Sequence, residues 1–228
     1  MTEAALIVGA GSGLSAALAR VFAREGLHVA LAARDTAKLG ALAQEVGARL
    51  YSCDAASREA VDALFAAVDR DGLSLDAVVY NPSRRSRGPL RDLDPVEVEQ
   101  ALMVTCYGGF LVGQHAARRM LPRGRGSILF TGASASVKGY AQSAPFAMGK
   151  FGLRGLAQSM ARELAPKGVH VAHVVIDGGI AAESRSSPRG PDSLLDPAAI
   201  AETYLHLYKQ PRSAWAWEIE LRPWVESF

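Results

Sequence analysis

The sequence predicts one α/β domain over residues 1–228, a doubly wound parallel sheet of about seven strands with helices on both faces. Three observations predict it. Short apolar runs alternate with longer stretches of helical period along the whole chain. A glycine-rich turn stands directly between the first apolar run and the first helical stretch. No fixed-period repeat and no shift of composition marks a second domain.

Taken in order, Ala5–Val8 is the first strand, followed by an Ala/Leu-rich helix ending near Arg24-Glu25-Gly26. His28–Ala33 is the second strand, and Leu39, Leu42, Ala43 and Val46 follow at helical spacing. Arg49–Ser52 is the third, with Val61, Leu64, Phe65 and Val68 marking the next amphipathic helix. Leu75–Tyr80 is the fourth strand, and one long helix is expected from about Val96 to Met120. Ser127–Thr131, a helix from about Pro145 to Ala165, and Val169–Ile176 continue the alternation. Asp196-Pro197 opens a last helix and Glu218–Leu221 closes the sheet. The connections after the fourth and sixth strands, Ser83–Pro89 and a loop of about residues 181–195, fall at the carboxyl ends of the strands, where such folds bind ligands.

Composition narrows the partners. The 228 residues carry 25 basic and 23 acidic side chains, a formal net charge of +2, so neither nucleic acid nor a membrane surface is expected. Cys53 and Cys106 are too few for a disulfide framework, no metal site is expected, and no apolar run reaches the roughly 20 residues a bilayer span needs. With Met1-Thr2-Glu3 running straight into the first strand, the expectation is a soluble, cytoplasmic protein with reduced thiols.

The turn reads Gly9-Ala10-Gly11-Ser12-Gly13-Leu14. Glycines let the chain turn tightly and let its backbone approach a pyrophosphate, whose charge suits a helix N-terminus. This places a dinucleotide on a Rossmann-type sheet. An acid at the end of the second strand would hold a ribose 2′-OH and select NAD; Ala33 is there instead, followed by Arg34, whose guanidinium suits a 2′-phosphate. NADP(H) is therefore favoured over NAD(H). Asp35 is the competing ribose ligand, with an alternative role as a helix N-cap.

Gly9-x-x-x-Gly13-x-Ser15 resembles the glycine turn of the short-chain dehydrogenase/reductase family, with Val8 and Ser15 where that family has Thr and Gly. Ser15 is expected to displace the turn slightly. Cys53-Asp54, Tyr80-Asn81-Pro82-Ser83, Glu163–Val169 and Asp177-Gly178-Gly179-Ile180 extend the resemblance from about Leu6 to Ile180. It implies a cofactor held by Gly9, Ser12, Gly13 and Leu14, by Arg34, by Asp54 and Ala55, by Asn81 and Pro82, by Lys150, and by Gly178 and Ile180. It also implies a homodimer or homotetramer, with the long helix around Val104 and the helix after Phe146 at the interface. The tail bearing Trp215, Trp217 and Trp224 is atypical and is read as core or interface packing.

The family's proton chemistry uses a Tyr-x-x-x-Lys pair, a serine and an asparagine. Here Phe146-Ala147-Met148-Gly149-Lys150 keeps the lysine alone. Ala133 falls at the serine position, with Ser134 and Ser136 beside it, and Thr105 at the asparagine position. The catalytic candidates are Lys150 and Ser134, with Tyr107 and Tyr140 as further hydroxyls. Three functions follow: an NADP(H)-dependent oxidoreductase of a small carbonyl or alcohol with an altered proton donor; a nucleotide-binding protein with little or no turnover; or non-redox chemistry with Lys150 as base. Arg84, Arg85 and Arg87 suit an anionic small-molecule substrate, or form a solvated loop. The Ser184–Asp192 segment is a candidate lid.

Overall fold

The computed structural model describes residues 2–182, 185–187 and 189–226. Its sheet has seven strands in the order β3-β2-β1-β4-β5-β6-β7, every neighbouring pair parallel. They are β1 (Thr2–Val8), β2 (His28–Ala33), β3 (Arg49–Ser52), β4 (Leu73–Tyr80), β5 (Ser127–Thr131), β6 (His170–Ile176) and β7 (Glu218–Leu221).

Parallel strands with helices on both faces must be apolar on both. Alternate residues of β1 show it. Leu6 and Val8 join a core with Tyr80, Phe65, Leu111 and Leu153, beneath α3 (Arg58–Arg70), α5 (Gly108–Met120) and α6 (Ala144–Leu164). Ala5 and Ile7 join Leu18, Phe22, Val79 and Tyr204, beneath α1 (Leu14–Arg24), α2 (Gly40–Val46) and α7 (Pro197–Lys209). Some helix starts are set by capping side chains. Ser57 accepts the Ala60 N–H for α3 and Asp196 accepts the Ala198 N–H for α7, whose first residue is Pro197.

Several boundaries differ from the sequence reading, and two of the differences have a clear physical reason. β4 begins at Leu73 rather than Leu75, because Thr2 and Glu3, which carry β1 back beyond the expected Ala5, pair with Leu73 and Ser74; within the strand Arg123 reaches Asp76 at 2.8 Å, neutralising a buried acid. The long helix is broken: α4 (Pro95–Leu102) passes through a π-turn, Met103–Tyr107, before α5 begins. The Tyr80 hydroxyl donates to the Val104 carbonyl and so draws it out of the helical ladder.

The tryptophan tail divides. Trp215 stacks on His170 with ring centroids 4.8 Å apart, and Trp217 packs on the core, whereas Trp224 is exposed.

Candidate active site

β1 and β4 are neighbours whose connections lead to opposite halves of the sheet, so a crevice opens beyond Val8 and Tyr80. A cleft of about 1040 Å³ fills it. Gly9, Gly13, Leu14, Asn81, Ser134, Lys150, Gly178 and Ile180 line this cleft, so the structure gathers eight of the expected site residues into one space. Arg34, Asp54 and Ala55 lie outside its lining, at the ends of the adjoining strands β2 and β3. Ser12 is exposed on the turn and Pro82 lies beneath it.

Gly9 is the position that requires glycine. Its φ is +81°, and a Cβ there would come within 2.7 Å of the Pro82 ring. Ser15 does not crowd the turn as expected. Its hydroxyl donates to the Gly9 carbonyl at 3.0 Å and accepts from the Asn81 amide at 2.9 Å, tying the turn to the end of β4. A Cβ added at Gly11 or Gly13 would meet nothing within 4 Å, so the approach to the α1 N-terminus is clear. Open space before a helix's first N–H groups is the cradle a pyrophosphate needs, and these residues fit a dinucleotide.

At the end of β2, Arg34 is exposed and has no ion-pair partner among the described residues. Asp35 is engaged locally: it accepts the Ala37 N–H at 3.1 Å and pairs with Lys38. Asp54 likewise accepts the Ala56 N–H at 3.0 Å through one oxygen.

The other end of the cleft combines an apolar cluster with cationic side chains. Phe146, Ala133 and Ala135 form a buried cluster. Lys150 is 2% exposed, and its Nζ donates to the Thr131 carbonyl at 2.6 Å, with the Phe146 ring centroid 5.9 Å away. Burial, and secondarily the charge of Arg85, bring its pKa down to about 7. The Arg85 guanidinium lies 4.2 Å from the Phe146 ring centroid. Its own pKa is lowered by burial and then by Arg87 and Arg185. Ser134 and Tyr140 line the cleft; Tyr107 does not.

Arg84 does not join its neighbours. Its guanidinium pairs with Glu97 at 2.7 Å, and its N–H donates to Thr105 Oγ1, so Thr105 anchors this loop. The candidate lid includes Ser184 and Pro188, which lie outside the described residues. The base of its loop is closed by hydrogen bonds between Ala181 and Leu195 and between Leu195 and Gly179.

Sequence reasoning missed a buried chain under the Ala133–Ser136 turn. The Ala133 N–H donates to Ser136 Oγ, whose hydroxyl lies 3.3 Å from His173 Nε2. His173 Nδ1 meets Glu218 at 3.0 Å, and Arg154 grips the same carboxylate with two hydrogen bonds. Burial holds the His173 pKa down at about 4, so the ring is neutral. Its partners then assign the proton to Nδ1, which donates to Glu218, and leave Nε2 to accept from Ser136. His173 and Glu218 come from β6 and β7, so no local spacing announces them; a histidine inside an apolar strand was the sole trace. Gly132 fits because the His173 ring fills the space a Cβ would occupy. Ser136→Ala leaves the Ala133 N–H and His173 Nε2 unpaired, an expected loss of about 1–3 kcal/mol measurable by thermal unfolding. An unchanged Tm would show that this chain does not hold the turn.

The family model described as short chain dehydrogenase matches residues 3–189, most of the chain. The chain belongs to the short-chain dehydrogenase family. It is similar to a short-chain dehydrogenase from Rhodopseudomonas palustris, 37% identical, with a TM-score of 0.85 over 97% of this chain and 99% of that one. A metagenomic short-chain oxidoreductase solved in complex with NADP is 27% identical, with a TM-score of 0.83 over 97% of each chain. The gluconate 5-dehydrogenase of Gluconobacter oxydans is 30% identical over 172 residues, 73% of this chain and 67% of that protein. The seven-stranded parallel sheet of this short-chain dehydrogenase is thus the family's Rossmann-type fold, and the chain is placed among oxidoreductases. No described helix is long and apolar enough to cross a membrane.

Proposed function

We propose that the protein is an NADP(H)-dependent oxidoreductase interconverting a small carbonyl compound and its alcohol, with Lys150 as proton donor in place of the family's tyrosine. The cofactor supplies or accepts the hydride. The chain's own residues bind, orient and move the proton. Lys150 carries this reading: it is a buried amine in the same cleft as the glycine turn, with a pKa of about 7, where it gives and takes a proton readily at neutral pH. Ser134 supplies a hydroxyl to the substrate oxygen, and Phe146 with Ala133 keeps water from the reacting carbon. The two named relatives, one solved with NADP and one named for gluconate, accord with a nicotinamide cofactor and a small substrate.

The preference for NADP(H) is supported by Arg34, without an ion-pair partner among the described residues, beside an Asp35 already engaged in its own turn. Titration by calorimetry is expected to show NADPH binding more tightly than NADH. Arg34→Ala should weaken NADPH by roughly 10–100-fold, the worth of a charged hydrogen bond, and leave NADH unchanged. Equal binding of both forms in the wild type would remove the NADP(H) preference.

A homodimer or homotetramer is supported by exposed apolar side chains on the segments expected at the interface, Tyr107, Phe110, Met148 and Phe151. The second reading, a nucleotide-binding protein without turnover, is favoured by the apolar cluster of Ala133, Ala135 and Phe146 at the reacting end. A carbonyl-substrate screen with NADPH separates the two.

A further inference from the structure

Three arginines line the reacting end of the cleft, and among the described residues none of them meets a carboxylate. Arg85 and Arg87 enter from the loop after β4, and Arg185 from the loop after β6. Among the described residues none of them is ion-paired, whereas Arg84 is neutralised by Glu97. Of the acids lining the cleft, Asp177 is already held by Lys138 and Arg222, which leaves Glu226. We propose that Arg85, assisted by Arg87 and Arg185, binds an oxyanion carried by the substrate, so that the carbonyl compound is a small acid or phosphate ester and not a neutral ketone.

The site is built rather than incidental. The Arg84 N–H is fastened to Thr105 and the Gly88 N–H donates to the Gln142 carbonyl at 3.1 Å. Gln142 itself holds a φ of +57°, a conformation non-glycine residues seldom adopt. The Phe146 ring beneath Arg85 fixes the guanidinium through a cation–π contact. On the far side Arg185 donates to the Ile180 carbonyl at 3.0 Å. A guanidinium presents a fork of N–H donors that suits a carboxylate or a phosphate, and an anion between like charges relieves their repulsion. The cofactor's own phosphates have separate ligands in the glycine turn and Arg34, and Arg34 does not line this cleft. Lys150 gains as well: an oxyanion against Arg85 offsets the charge that disfavours the lysine's ammonium form.

The word substrate rests on the oxidoreductase reading; the binding of an oxyanion does not. The test compares kcat/KM with NADPH for acetoacetate against its ethyl ester, and for dihydroxyacetone phosphate against dihydroxyacetone. It is paired with calorimetric titration of malonate and of inorganic phosphate into NADPH-loaded protein at low salt. In at least one pair the anion is expected to be preferred by about tenfold or more, the worth of a charged hydrogen bond. Which pair responds tells a carboxylate from a phosphate ester. Arg85→Gln should collapse that ratio towards one and weaken the oxyanion titration, while NADPH affinity stays the same. If no carbonyl compound is turned over, the oxidoreductase reading fails, and the oxyanion titrations decide by themselves. The proposal is overturned if neither probe binds, if Arg85→Gln leaves ratio and titration unchanged, or if it weakens NADPH instead.

Discussion

Replacing Lys150 with methionine is expected to lower turnover by about 10²–10⁴-fold, the usual contribution of a positioned proton donor. Stability should move the other way. The folded pKa of about 7 lies well below the ordinary value of 10.5, so between these pH values the unfolded chain binds a proton that the folded chain does not. Stability therefore rises with pH across that window, and the penalty for charging the buried amine is fully present below pH 7. A shift of this size corresponds to about 5 kcal/mol. Lys150→Met removes the penalty, keeps most of the side-chain volume, and gives up the hydrogen bond to Thr131. Its Tm at pH 6–7 is expected above that of the wild type, with the pH slope flattened. In the wild type, reduction should slow as pH rises through about 7, because the ammonium form is the donor. Turnover surviving in Lys150→Met at its original rate would end the proposal for this residue.

The second large effect is a gain. Phe146→Tyr is expected to raise the reduction rate by about 10²-fold, since it puts a phenol on the face of α6 that carries Lys150, one helical turn away. The ring centroid is 5.9 Å from Lys150 Nζ, close enough for the ammonium to lower the phenol's pKa. Adding Ala133→Ser restores a hydroxyl beside it and should raise the rate further. Single-turnover measurement with saturating NADPH reads the chemical step directly. A tyrosine variant that binds NADPH normally and reduces no faster would mean that proton supply does not limit the reaction. Turnover absent from the wild type but present in the double variant would favour the nucleotide-binding reading.

Much of the site was legible because its elements are local in sequence. Gly9–Leu14 is contiguous, its glycines read directly as a turn, and the strand before it and helix after it follow from hydrophobic period. Phe146 and Lys150 are also a local pair, set by helical spacing. What escaped notice depends on strands that meet only after folding. Tyr80 and Val104 form the π-turn because β4 runs beneath that helix, and periodicity alone extends the helix unbroken. Asp76 is tolerated inside a buried strand because Arg123, 47 residues away in the chain, pairs with it.

The three loop arginines show the division most sharply. Composition offers Arg84, Arg85 and Arg87 as one charged run, but the fold assigns them different work. Glu97, fixed in α4, takes Arg84, while Phe146, fixed in α6, receives Arg85. The sheet, the nucleotide turn, the family resemblance and the phenylalanine at position 146 are all written in the residue order, since each depends on residue type at a fixed local spacing. Folding alone makes Ser15 lock the turn to Asn81, sets His173 and Glu218 to brace the Ala133 turn, and through burial brings the Lys150 pKa near neutrality. Those outcomes turn on distance and burial between segments far apart in the chain, which no local pattern encodes.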